Sequence, residues 1–317
     1  MTKHVIFDTD AGGDIDDLYA LSLILKHPQL SLLGVTTVSA DTQARARLIA
    51  KMLRLAGRRD IPVHAGIRLP AATAARGVEE TAYKQYLTHL EIVEVGDSEY
   101  QQQYGNAVNF ILDTLSQSRE PITIIGTGPW TNIASVVQRA TDEQKSRIAS
   151  LALMGGEVHW LHPESNVLHD PEAAQYILQC GLPIFLATWS RSQLLKYSME
   201  EVSRLIENSP SPYNLALKAA TDMWWAAGVE HKPGPVCFDV IPVFWAAGER
   251  EQISCIQLES IPVELHGTLT RGMMLAHPWQ LMKAKRTTTM SPEFITVTDS
   301  LEAGFLKNRF NQLVFNQ

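Results

Sequence analysis

Residues 5–17 constrain this chain most. Val5-Ile6-Phe7 is apolar without interruption, and it runs into Asp8-Thr9-Asp10-Ala11-Gly12-Gly13-Asp14-Ile15-Asp16-Asp17. An unbroken apolar triplet reads as a strand buried on both faces, so the acids that follow stand at its carboxyl end. The paired glycines allow a sharp turn there, and the aspartates of the next segment suit the positive end of a helix running from Asp16 to Leu25. Two unit charges ~4 Å apart at an effective dielectric of ~20 repel by about 4 kcal/mol. Gathering these acids at one strand end is therefore costly without a cation, and hard oxygen ligands favour calcium or magnesium over zinc. A solvated acidic loop with helix-capping aspartates is the plainer alternative. The apolar residues on both sides argue against it by placing the acids at a core edge.

The same alternation continues along the chain. Leu32–Val38, Ile61–Val63, Ile122–Ile125, Leu151–Met154 and Pro183–Ala187 read as strands. Thr42–Ala56, Asn106–Ser116, Asn132–Arg139 and Asp170–Cys180 read as helices between them. The spacing predicts an α/β fold, a single domain over residues 1–317 with an open, mostly parallel sheet and helices on both faces. Ile253–Leu258, Ile261–Leu265 and Phe294–Val297 read as later strands, and Leu301–Phe315 as a closing helix. Sheets of this kind bind ligands beyond the carboxyl ends of their strands. Asp10, Thr127, Gly155 and Trp189 all follow strands and so share one crevice.

The net charge of −7 and the absence of a long Lys/Arg run exclude a nucleic-acid partner. No apolar run is long enough to span a membrane, and Asp8 comes too early for a signal peptide. Cys180, Cys237 and Cys255 form no CxxC pair and read as buried free thiols in a reducing compartment. The expected location is cytoplasmic.

A strand ending in Asp-x-Asp also opens the haloacid-dehalogenase phosphatases, but their Gly-Thr directly after the second Asp is missing here. The N-terminal motif instead resembles that of the inosine–uridine-preferring nucleoside hydrolase family. Four further segments resemble the same family in the same order: Pro62-Val63-His64-Ala65-Gly66; Gly126-Thr127-Gly128-Pro129-Trp130-Thr131-Asn132; Met154-Gly155-Gly156 leading to Glu164-Ser165-Asn166 and Asp170-Pro171-Glu172; and Leu269-Thr270-Arg271-Gly272. The match spans residues 5 to about 275.

That resemblance implies hydrolysis of the N-glycosidic bond of ribonucleosides to free base and ribose, in purine and pyrimidine salvage, with Ca2+ as cofactor. Asp10 would ligate calcium and act as general base on a calcium-bound water. Asp17, Asp239 and the carbonyl of Thr127 would complete the metal site, with Asp17 bidentate. Asp16, Met154, Glu164 and Asn166 would hold the ribose. The family also implies a homodimer or homotetramer. The chemistry agrees with the residue types, because a carboxylate-rich pocket stabilises an oxocarbenium-like centre. Two other readings stay open: a metal-dependent phosphatase, and a non-catalytic relative that binds calcium or ribose.

Several positions depart from the family pattern. One inserted residue leaves two alignments of Asp14-Ile15-Asp16-Asp17; Leu18-Tyr19-Ala20-Leu21 favours Asp16 and Asp17, with Asp14 as an extra acid, a helix cap or a hydrogen-bond acceptor. Asp41 stands where many members have an Asn facing the ribose. Phe238 stands where the best-known members have a His assigned to leaving-group protonation. The family's His-Gly-x-Asp-Gly-Leu-Gly stretch is missing after Leu69. Two replacements for the missing acid are open: protonation by His231, or stacking of the base on Trp224 or Trp225.

Overall fold

The computed structural model describes residues 2–77, 88–89, 104–228 and 234–316. The first strand, β1 (Lys3–Thr9), lies deep in the sheet, between β2 (Leu30–Thr37) and β4 (Ile122–Gly126) and parallel to both. β3 (Val63–Ala65) adds outside β2; β5 (Ile148–Met154) and β6 (Ile184–Ala187) add outside β4. β7 (Ile253–Leu258), β8 (Arg286–Thr287) and β9 (Ile295–Leu301) complete the far edge. The spatial order is β3-β2-β1-β4-β5-β6-β9-β7-β8. All pairings as far as β9 are parallel, whereas β7 runs antiparallel to both β9 and β8.

Each face of the sheet builds its own core. Val5 and Phe7 point into one with the helices Asp16–Lys26, Thr42–Leu55, Val240–Ala247 and Ala303–Phe315. Ile6, between them in sequence, points into the other with Ile122, Ile124 and the helices Ala107–Gln117, Thr131–Arg139 and Pro171–Ile177. This two-sided burial explains the apolar triplet with no polar alternation. Gly34 on β2 is required by packing, since a Cβ there would stand 2.2 Å from the Phe110 ring.

Three of the differences from the sequence reading bear on the sheet and its faces. The third strand starts at Val63 rather than Ile61, and the Pro62 carbonyl accepts from Val35 N just before it. Ile261–Leu265 forms no strand; Val263 makes only an isolated bridge to Met274, and its N–H donates to the Gln175 side chain at 2.8 Å. The helix Val240–Ala247 was not anticipated. All eight of its residues are buried, so it carries no amphipathic period to read. Among the described residues no helix is long and apolar enough to cross a membrane.

Candidate active site

The carboxyl end of β1 splits its acids between two tasks. Asp8 points away from solvent and accepts from Thr36 Oγ1 at 2.5 Å and Asn132 Nδ2 at 2.8 Å. Asn132 also donates to the Thr37 carbonyl and accepts from Ile67 N, so this group locks β1, β2 and the loop after β3 together. Burial pushes the Asp8 carboxyl up to about 7 against both hydrogen bonds. Asp10, two residues on, keeps 27 % side-chain exposure and faces the cavity. Gly128 makes room for it: a Cβ there would lie 2.9 Å from Asp10 Cβ.

Asp16 and Asp17 occupy the first turn of the helix Asp16–Lys26, and Asp239 directly precedes the helix Val240–Ala247. Two helix N-termini thus point their partial positive charge at one acidic cluster. Carboxylate oxygens of Asp16, Asp17 and Asp239 lie within 4.8 Å of one another, and all three residues are buried. Thr9 Oγ1 and Thr127 Oγ1 both donate to Asp17 Oδ1, at 2.5 and 2.7 Å. Despite these donors burial, then the charge of Asp10, carries Asp17 up to about 7. Burial raises Asp16 and Asp239 well above the usual carboxylate range, and the neighbouring acids add to it. Burial likewise lifts Asp10 to about 6, opposed by Arg45 and reinforced by Glu164 and Asp14.

Burial first, and then the neighbouring acids, disfavour the charged forms of these carboxyls, so positive charge beside them would be stabilising. A hard divalent cation would supply it, and the donors are all oxygen, as calcium or magnesium requires. The cluster therefore fits such an ion.

The cavity beyond the acids encloses about 650 Å³, the size of a small-molecule site. Asp10, Asp14, Asp16, Asp17, Thr127, Met154, Glu164, Asn166 and Asp239 all line it. Glu164 caps the helix Ser165–His169: its carboxylate accepts from Asn166 N at 3.0 Å and from Gly156 N at 2.7 Å, which ties the loop after β5 to that helix. Gly155 and Gly156 make that loop possible with φ of 147° and 68°. Asn166 Nδ2 in turn donates to the Thr127 carbonyl at 2.7 Å. Asp14 Oδ1 accepts from Ile15 N, while Ile15, not Asp14, is the N-cap of the helix.

Other expected residues lie elsewhere. Asp41 is the N-cap of the helix Thr42–Leu55, accepting from Ala44 N at 3.0 Å, and it is not among the described lining residues; Ser39 takes that place. Trp224 is buried in the core with Tyr213 and Leu217, and Trp225 is 42 % exposed; neither is among the described lining residues. The inward face of the helix Pro212–Ala226 explains Trp224, since that face packs on other helices: Thr221 and Tyr213 meet Tyr19 and Ser22 of the helix Asp16–Lys26. His231 lies outside the described residues.

Arg45 was missed. Only 3 % exposed, it donates from Nε to the Ser39 carbonyl and from Nη1 to the Ala11 carbonyl, and it lines the cavity beside Asp10. It shares the buried stripe of its helix with Leu48, Ile49 and Met52. A cation at a core position of an amphipathic helix was the available signal. His162 and Trp189 also line the cavity, and no motif had marked them as a pair.

A family model described as inosine-uridine preferring nucleoside hydrolase matches residues 5–303. The chain is 32 % identical over 287 residues to an uncharacterized protein of Schizosaccharomyces pombe, covering 87 % of this chain and 90 % of that one. It is 29 % identical over 307 residues to the pyrimidine-specific ribonucleoside hydrolase RihA of an Enterobacter species, covering 92 % and 93 %. In structure it is similar to a plant nucleoside hydrolase, PpNRh1, with TM-score 0.82 and 21 % identity over 100 % of both chains. It is also similar to a purine-preferring ribonucleoside hydrolase from Gardnerella vaginalis, with TM-score 0.78 and 23 % identity over 99 % and 98 %.

Proposed function

The chain belongs to the inosine–uridine preferring nucleoside hydrolase family, hydrolases of N-glycosyl bonds, and from that premise we propose a calcium-dependent ribonucleoside hydrolase with Asp10 as general base. The observation that carries the reading is the convergence of Asp16, Asp17 and Asp239 within 4.8 Å in the lining of one cavity. The phosphatase reading falls with the family assignment.

Asp10, Asp17, Asp239 and the Thr127 carbonyl would hold the cation, and Asp16 would turn to the ribose. The cluster of neighbouring oxygens also leaves Asp16 available as a ligand. When bound, calcium lowers the pKa of a coordinated water and orients vicinal hydroxyls. Asp10 takes the proton from the attacking water; its partial exposure gives that water access. Asn166 and Glu164 fix the wall against which the sugar lies, and the surrounding carboxylates stabilise positive charge as it grows at the anomeric carbon. Asp14 and the Met154 side chain add lining on either side. We extend the proposal to salvage of purine and pyrimidine nucleosides in the cytoplasm, which the three free cysteines support. A homodimer or homotetramer rests on family resemblance alone, and light scattering giving a monomer mass would reject it.

The test is ribose release from a panel of purine and pyrimidine ribonucleosides, before chelation, after chelation and after calcium is restored. Release that vanishes with chelator and returns with calcium supports the reading. Release indifferent to chelation ends the calcium mechanism, and no release from any nucleoside ends the substrate class.

A further inference from the structure

We infer that His162, held against the Trp189 ring, contacts the leaving nucleobase and donates the proton it departs with; this rests on the ribonucleoside hydrolase reading above. The cavity lining is not all acidic: Met154, Phe238 and Trp189 also line it, and Met154 and Phe238 form a small apolar cluster with Val236 on which Trp189 packs, the apolar end of the lining. A flat heteroaromatic base fits the apolar end, since every base offers a face for stacking.

His162 stands at that end. Its ring centroid lies 4.9 Å from that of Trp189 with the planes tilted by 40°, and both residues line the cavity. The pairing is built rather than incidental. Glu157 is fully buried, and its carboxylate accepts from His159 N at 2.6 Å and from Ser190 N at 2.8 Å. One side chain therefore pins the loop that carries His162 to the turn that carries Trp189. Trp189 N donates to the Gly156 carbonyl at 3.0 Å, and His159 Nε2 donates to the Thr298 carbonyl at 3.1 Å. These bonds hold the base of the loop against the Trp189 turn, and none of them uses a ring nitrogen of His162. The other imidazole of the lining, His169, already has Nδ1 on the Ser165 carbonyl at 2.7 Å.

The step balances as follows. The C1′–N bond breaks and its electron pair stays with the base. The imidazolium of His162 gives its N–H proton to that base and ends as neutral imidazole. The attacking water adds its hydroxyl to C1′ and gives its other proton to Asp10. His162 is exposed on its outer side, so solvent restores its proton.

The experiment compares His162→Ala and His162→Gln with wild type on two substrates: the best natural ribonucleoside from the panel, and p-nitrophenyl riboside, whose phenolate leaves without a proton. We expect His162→Ala to lower kcat on the nucleoside by about 10²-fold, within the range for loss of a general acid. On p-nitrophenyl riboside its kcat should stay within about threefold of wild type, as it would for a lost proton donor only. His162→Gln, which keeps an N–H but cannot pass on a proton, should resemble His162→Ala on the nucleoside. Equal losses on both substrates, no loss on the nucleoside, or full rescue by Gln would each overturn the assignment. A wild-type enzyme that releases ribose from neither substrate would instead overturn the hydrolase reading beneath it. Leu161→Ala, at a neighbouring side chain 84 % exposed, controls for disturbance of the loop.

Discussion

Arg45 Nη2 lies 4.0 Å from Asp10 Oδ2, while the same guanidinium donates to the carbonyls of Ser39 at 2.9 Å and Ala11 at 3.0 Å. One buried cation therefore does two things: it supports the turns after β1 and β2, and it holds the Asp10 carboxyl lower than burial alone would leave it. Those turns need support, because Ser39 and Ala40 both adopt left-handed backbone conformations with φ of 68° and 52°.

Arg45→Met should destabilise the fold by roughly 3 kcal/mol, because it leaves two buried carbonyls without their donor and Asp10 without its neighbouring positive charge. It should also raise the Asp10 pKa, so that the acidic limb of kcat/KM moves to higher pH. Denaturant melts and a rate–pH profile check the two effects separately. An unshifted limb would show that Arg45 does not tune the base.

Asp10→Asn should lower turnover by about 10²–10⁴-fold, the range for loss of a general base. The change is nearly isosteric and Asp10 is partly exposed, so the melting temperature should hardly fall. A variant turning over within tenfold of wild type would contradict the assignment.

His89 provides a second pH test, beside the turn that carries the acids, since Thr88 donates to the Gly12 and Gly13 carbonyls. It is fully buried, and burial with help from Arg45 pushes its imidazole down to about 3. The unfolded chain takes up a proton at this site below about pH 6.5, whereas the folded chain does not. The stability this neutral ring contributes is therefore complete above that pH, and it is lost at up to roughly 1.4 kcal/mol per unit as the pH falls toward the folded value. His89→Gln should flatten the slope of unfolding free energy against pH in the acid range by about that amount. Parallel slopes for the two proteins would mean that His89 titrates normally.

Trp224→Ala should cost about 3–5 kcal/mol, as expected for a large side chain removed from a packed core. Trp224 is 1 % exposed in that core. Trp225→Ala should cost less, its side chain being 42 % exposed. Steady-state kinetics at a temperature where both variants are folded should give wild-type KM for every nucleoside. A raised KM for purines in Trp224→Ala would return the tryptophans to base binding.

The strand, the acidic turn and the parallel order of the sheet are legible because each leaves a local mark. Val5-Ile6-Phe7 reads as a two-sided strand, and Asp16-Asp17 suits a helix start. Asp239 leaves no such mark. It joins the cluster from 222 positions beyond Asp17, and family resemblance rather than local pattern pointed to it. Val240–Ala247 is apolar all round and shows no helical period, whereas Ile261–Leu265 is apolar enough for a strand but finds no ladder partner. His162 and Trp189 lie 27 positions apart, and the buried carboxylate of Glu157 together with the Trp189 N–Gly156 carbonyl bond makes them neighbours. Contacts of that kind depend on tertiary closure, which no window of sequence contains.

The helix that starts with Asp16 and Asp17 is covered by the last helix of the chain: Tyr19 stacks on Phe310 with ring centroids 6.1 Å apart. During synthesis the acids emerge first, while their third partner and the covering helix are translated far later. A nascent chain thus carries an unfinished site for most of its elongation, and domains dominated by such distant closures fold slowly and late. A protein shortened to residues 1–301, without the helix Ala303–Phe315, should show no rise in melting temperature with calcium, although it retains every proposed ligand. The helices Asp16–Lys26 and Ala303–Phe315 form one assembly unit, so the site cannot mature before the second of them has been made.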